Sequence, residues 1–340
     1  MIKKILFFVF ITGTFLLCNS QTPNVDASWI PVFQDDFTSF DNTRWKKAHR
    51  HVHGEGTDEE PQVYDSSNVT ISISPKTGDG QLCLKTTHLL LPVTHPNNGK
   101  PCNYHNQHFY KSGQINSKNK YQYGYFEIYA KMPVGKRFWP AFWLFNCKSS
   151  PNGFYNEIDI MEITEGWNDS TSSNIHWGIH CDSLSGDTMK IHSINNNHTY
   201  HWYGLEWTRT RLIWFVDNQI VRIDSNNHSQ VGIHHPLEII LNLAMAPWVS
   251  GGSSSDYPGD YRITQANVFE LQCDTNTNVT IIPDFSTYNY AVKKTISLSH
   301  TTTIPSNAKI SLRAQEYIEL KNGFEIPLGA QVYFEAGRYK

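Results

Sequence analysis

An all-β fold, a sandwich of two sheets, is what this sequence predicts, and three observations predict it. From about residue 28 to 275 the chain reads as many short strands separated by Gly, Pro, Asn and Asp turns. No long stretch carries helical periodicity. Leu237 to Met245 is largely apolar, as expected of a strand buried on both faces. About 250 residues of this texture indicate a β-sandwich.

The individual elements follow in order. Tyr125-Phe126-Glu127-Ile128-Tyr129-Ala130-Lys131 alternates and stops at Met132-Pro133. Leu212 to Val216, the turn Asp217-Asn218 and Ile220 to Ile223 read as a hairpin. His88 to His108, with three prolines and Cys102, and the polar stretch Asp182 to Asn197 read as loops. After Cys273 the composition shifts, so residues 21–275 are expected to form one domain and 276–294 a linker. Residues 295–340 then form a small β-rich module, with strands expected at Lys309 to Ala314, Tyr317 to Leu320 and Gln331 to Glu335. That module is too short to hold much core of its own.

Residues 1–20 read as a signal peptide. Lys3 and Lys4 precede a largely apolar region of 13 residues, Ile5 to Leu17, and Cys18-Asn19-Ser20 offers small residues at a cleavage site. Thirteen apolar residues are too few to span a bilayer, which takes ~20. Secretion is therefore expected, with a lipid anchor at Cys18 as the alternative. No other segment is apolar enough to cross a membrane. Five cysteines would remain, widely spaced and without a C-x-x-C pair, which argues against a zinc site or a dense disulfide scaffold.

The net charge of -3 shows no basic excess, so nucleic acid is not an expected partner. The 10 Trp, 17 Tyr and 18 Phe exceed what one core needs. Flat sugar faces bind aromatic rings, although sandwiches also use aromatics as strand formers. A monomer is expected.

The candidate chemistry lies in Glu157-Ile158-Asp159-Ile160-Met161-Glu162. On a regular strand Glu157 and Asp159 share a face, and Glu162 points to the other. One bulged residue near Ile160 or Met161 would bring Glu162 back to the face of the other two. Carboxyls crowded this way push at least one pKa upward. A retaining glycosidase uses that split, with one ionised nucleophile and one protonated acid. A wet acidic face, or a calcium site built from oxygens, is the alternative on spacing alone.

With its surroundings this strand resembles glycoside hydrolase family 16, the bacterial laminarinase and agarase-like enzymes. The hexamer matches E-x-D-x-x-E, and Phe138-Trp139-Pro140-Ala141-Phe142-Trp143 resembles the W-P-A-x-W block. Ser112 to Lys118, Ile175-His176-Trp177-Gly178 and Leu241-Asn242-Leu243-Ala244 resemble further blocks, in the family's order. The resemblance implies a jelly-roll, concanavalin-like sandwich with an open cleft. It implies Glu157 as nucleophile, Glu162 as acid/base and Asp159 as their helper. Trp139, His176, Trp248 and Glu60 are expected to contact substrate, as is Trp143, which is also expected to lie partly in the core. A satisfied core histidine is the alternative for His176. The expected substrate is β-1,3-glucan, with a red-algal galactan as the alternative and a non-catalytic glycan-binding protein behind it. No cofactor is required, and a structural calcium would fit such a sandwich. Ala246-Pro247-Trp248 departs from the family's Gly-Gly, which leaves the substrate open.

Overall fold

The computed structural model describes residues 29–49, 60–94, 107–148, 153–163, 169–178, 185–186, 188–195, 198–209, 211–225, 233–246, 259–271, 274–280, 293–300, 302–306 and 309–336. The expected signal peptide, residues 1–20, and Trp248 lie outside the described residues. Among those described, the strands form sheets of ten, eight and four, with one short 3-10 turn at Ser66–Asn68. The two larger sheets are the expected sandwich.

Alternation explains the packing. In the strand Gly124–Lys131, Phe126, Ile128 and Ala130 enter the core between the sheets. The strand Leu237–Met245 spans the predicted residues and is buried along nearly its whole length. It pairs in an unbroken register with Phe138–Lys148, from Glu238 opposite Phe145 to Met245 opposite Phe138. Phe154–Glu162 then pairs with Phe138–Lys148 on one side and Ser170–Gly178 on the other. The acid strand thus sits inside its sheet, held by ladders on both edges.

The predicted hairpin is present, with Arg211–Val216 paired to Gln219–Ser225. Asp217 and Asn218 have φ of 47° and 64°, the left-handed pair of a type I′ turn. Asp217 also accepts from the Trp202 amide at 3.0 Å, which ties the turn to the next strand.

Several sequence expectations are corrected. The strand Gly80–Thr94 runs on into the stretch expected as a loop from His88. The expected loop Asp182 to Asn197 contains the strands Ser185–Gly186 and Lys190–Ser193, which pair with Ser170–Gly178. Asp274–Thr280, expected to be domain end and linker, is a strand of the third sheet. That sheet is parallel throughout. The two strands expected at Lys309 to Ala314 and Tyr317 to Leu320 are one, Lys309–Leu320, because Gln315-Glu316 contains no turn-forming residue. Its first half pairs with Gln331–Ala336 and its second with Lys293–Leu298. A small core of Ile296, Leu298, Ile304, Leu312 and Ala314 lies beneath it.

Asn218→Val is expected to cost about 1–2 kcal/mol, because a β-branched residue resists the left-handed conformation. Thermal unfolding checks it, and an unchanged Tm would contradict the turn.

Candidate active site

Glu157, Asp159 and Glu162 do share the outer face of the eight-stranded sheet. Relative to Phe138–Lys148 the register shifts between Asp159 and Met161, and relative to Ser170–Gly178 it shifts between Asp159 and Glu162. That is the bulge. It lets both Ile160 and Met161 pack into the core beside Ile158, while Glu162 returns to the outer face.

A bulge removes regular ladder partners, so its carbonyls need others. The Trp214 indole, reaching from the opposite sheet, donates to the Asp159 carbonyl at 3.0 Å. Thr171 and Ser172 hydroxyls donate to the Glu162 carbonyl at 3.1 and 3.2 Å. Arg222 lies 4.5 Å from the centre of the Trp214 ring and donates to the Ser173 carbonyl at 3.0 Å. The bulge is therefore clamped from the core and from the neighbouring strand.

Each acid has its own partners. Tyr155, two residues before Glu157 and on the same face, donates its hydroxyl to that carboxylate. Trp139 Nε1 donates to Glu162 Oε1 at 2.8 Å. Asp159 is the most enclosed, with 4% of its side chain exposed against 16% for Glu157. His176 lies opposite Glu157 in the ladder, with Nε2 3.5 Å from Asp159 Oδ2 and 3.9 Å from Glu157 Oε1. It thus stands half-buried beside the acids and not in the core between the sheets. Gly186 makes room for it, since a Cβ there would stand 2.7 Å from His176 Nδ1.

Burial is the largest cause in raising all three carboxyls above their ordinary range. The charge of Asp159 adds to this at Glu157 and Glu162, whereas Tyr155 and Trp139 respectively oppose it. Arg222 lowers Asp159 from behind the strand. The set therefore holds protons toward neutral pH and titrates as one unit.

Trp143 faces the acids, not the core. It stands opposite Asp159, and the unbroken register from Trp139 to Trp143 puts residues four apart on one face. Its ring packs 5.3 Å from that of Phe145. Glu60 is buried beside this face, its carboxyl pushed up to about 7 by burial despite hydrogen bonds from Tyr64 and Gln62. Tyr155, Thr171, Ser172 and Trp214 were not singled out from sequence. Alternation alone could have found Tyr155; Trp214 is brought in only by the other sheet.

Glu157, Asp159 and His176 also bring ligand-type atoms within 4.8 Å of one another. Two carboxylates and one imidazole suit a transition metal better than calcium, which takes six to eight oxygens.

A sandwich whose open sheet carries crowded carboxyls beside indole and phenol groups has the makings of a carboxylate-based glycoside hydrolase. The chain belongs to the glycosyl hydrolases family 16, whose family model matches residues 51–267. It is 30% identical over 48% of its length to glucan endo-1,3-beta-glucosidase A1 of Niallia circulans, of which it covers 27%. Among solved structures it resembles a Bacteroides ovatus family 16 enzyme with a mixed-linkage glucan product, at a TM-score of 0.54 and 24% identity. That match covers 69% of this chain and 99% of the other. The kappa-carrageenase of Pseudoalteromonas carrageenovora matches at a TM-score of 0.57 and 20% identity, over 73% and 98% of the two chains. These structural likenesses concern the fold. The chain spans 27 to 65% of the length of the first curated relatives it matches.

Carboxyls raised by burial make the folded chain hold more protons than the unfolded chain. Stability therefore falls as pH rises from the ordinary carboxylate range near 4.5 toward the raised values. Glu157→Gln removes one of the crowded charges and is expected to raise Tm by a few degrees at about pH 8, with the gain fading near pH 4. Calorimetry at both pH values checks this, and a gain that is larger in acid would reverse the sign.

Proposed function

We propose that the chain is a retaining endo-β-glycanase acting on β-1,3-glucan. The observation that carries this reading is the bulge that sets Glu157, Asp159 and Glu162 on one face of one strand. Glu157 attacks the anomeric carbon while Glu162 protonates the leaving oxygen, giving a glycosyl-enzyme. Glu162 then takes a proton from water as it attacks that carbon and releases Glu157, with net retention. Asp159, when ionised, places its charge beside Glu162 and so favours a protonated Glu162. The chemistry needs no cofactor. Trp139, Trp143 and His176 border the bound sugar.

The 30% likeness to an endo-1,3-β-glucosidase supports the choice of glucan. A red-algal galactan is the second reading, because the kappa-carrageenase shares the fold as closely as the glucanase does. The leader with Lys3 and Lys4 supports secretion, and a disulfide at Cys147 suits an oxidising compartment.

Reducing-sugar release from laminarin, lichenan, agarose, porphyran and carrageenan tests the substrate. Laminarin is expected to be cleaved fastest, and cleavage of agarose or carrageenan alone would reverse the order. Tight binding without turnover on any of them would make this a glycan-binding protein. Proton NMR should show the β-anomer first, and a first α-anomer would contradict retention. Glu157→Gln should lower kcat at least about 10³-fold, the scale of losing a covalent nucleophile.

The rate should follow a bell-shaped pH profile, whose acid limb marks the loss of the ionised nucleophile and whose basic limb marks the loss of the protonated acid. A flat profile would argue against the pairing. Deleting residues 290–340 should leave hydrolysis intact, since the acids and their clamps all lie in the sandwich; a collapse of folding would show the module to be part of it.

A further inference from the structure

Glu60 ends a chain of hydrogen bonds that crosses the sheet to Trp143. Trp143 Nε1 donates to Asn242 Oδ1 at 2.7 Å, and Asn242 Nδ2 donates to the Tyr64 hydroxyl at 2.8 Å. Tyr64 donates in turn to Glu60 Oε2 at 3.0 Å, where Gln62 Nε2 also donates at 2.6 Å. Gln62 Oε1 accepts from the Met245 amide at 3.0 Å, which anchors the group to the strand bearing Asn242.

The direction of this chain is forced from the indole end. An indole can only donate, so Asn242 must turn its oxygen to Trp143 and its NH₂ to Tyr64. The tyrosine hydroxyl then has a lone pair occupied and gives its proton to Glu60, which accepts it when ionised. Tyr64 and Asn242 are 0% and 3% exposed, so water offers them little substitute. The indole N–H of Trp143 is consumed, which leaves its ring, opposite Asp159, as the part available to a sugar.

We infer that Glu60 is a positioning residue that holds the Trp143 ring in place beside the acids and thereby forms the sugar-contact surface nearest to them. In this arrangement Glu60 acts through Tyr64 and Asn242. The sugar-contact half of the inference rests on the proposed glycanase function, whereas the positioning half does not.

Two variants break the chain at different points. Tyr64→Phe removes the central hydroxyl, and Glu60→Gln keeps the shape of the terminal acceptor without its charge. On oligosaccharides of the best substrate, Tyr64→Phe is expected to raise KM about tenfold, the scale of one lost buried hydrogen bond, with kcat little changed. Glu60→Gln should raise KM several-fold. Combined with Trp143→Phe, neither should add to the effect of that change alone, whereas additive effects would overturn the inference.

A ¹H–¹⁵N spectrum without substrate reads the positioning directly, with the Trp143 indole resonance assigned from Trp143→Phe. Both chain variants should shift it. A drop in Tm with KM and resonance unmoved would reduce Glu60 to a structural role and overturn the inference. A shifted resonance in a protein that cleaves no glycan would instead overturn the proposed function and leave the positioning standing.

Discussion

One extra residue between Asp159 and Glu162 is the constraint on which the site depends. A strand repeats every two residues, so five positions separate Glu157 from Glu162 onto opposite faces unless the count is broken. The bulge breaks it, and it does so where Ile160 and Met161 can both enter the core. Its cost is the loss of regular ladder bonds, which Trp214, Thr171 and Ser172 make good at the two carbonyls. Trp214 comes from the opposite sheet, so the position of Glu162 depends on the packing of the whole sandwich.

The second constraint is electrostatic. Burial raises all three carboxyls, the charge of Asp159 adds to this at Glu157 and Glu162, and Glu60 adds a fourth beside Glu162. A chain optimised for stability alone would not place them together. The site tempers the cost with donors aimed at individual oxygens, Tyr155 at Glu157 and Trp139 at Glu162. Those donors also give the two outer acids different environments. The tryptophan of the W-P-A block thus donates directly to one of the acids.

Much of this was legible in the sequence because it rests on local rules. Alternation placed Glu157 and Asp159 together, and Asp217-Asn218 announced a turn that needs positive φ twice. The continuous apolar run gave the strand Leu237–Met245 to the residue. Trp143 was misjudged as partly core, although four residues on an unbroken strand return to the same face. Asp274–Thr280 reads as linker in the sequence because it is polar. It becomes a strand only through its partner Lys293–Leu298, which local composition does not report.

By itself the sequence determined the strand periodicity, the hairpin and the set of acids, since each follows from side-chain spacing and backbone preference within a few residues. Only the tertiary structure decided that the bulge forms, that Trp214 holds it, and that Glu60 reaches Trp143 through Tyr64 and Asn242. Those contacts join residues 55, 178 and 99 positions apart. Hydrogen-bond direction between such distant groups is set by which donors and acceptors the folded sheets bring within 3 Å, and no local pattern encodes it.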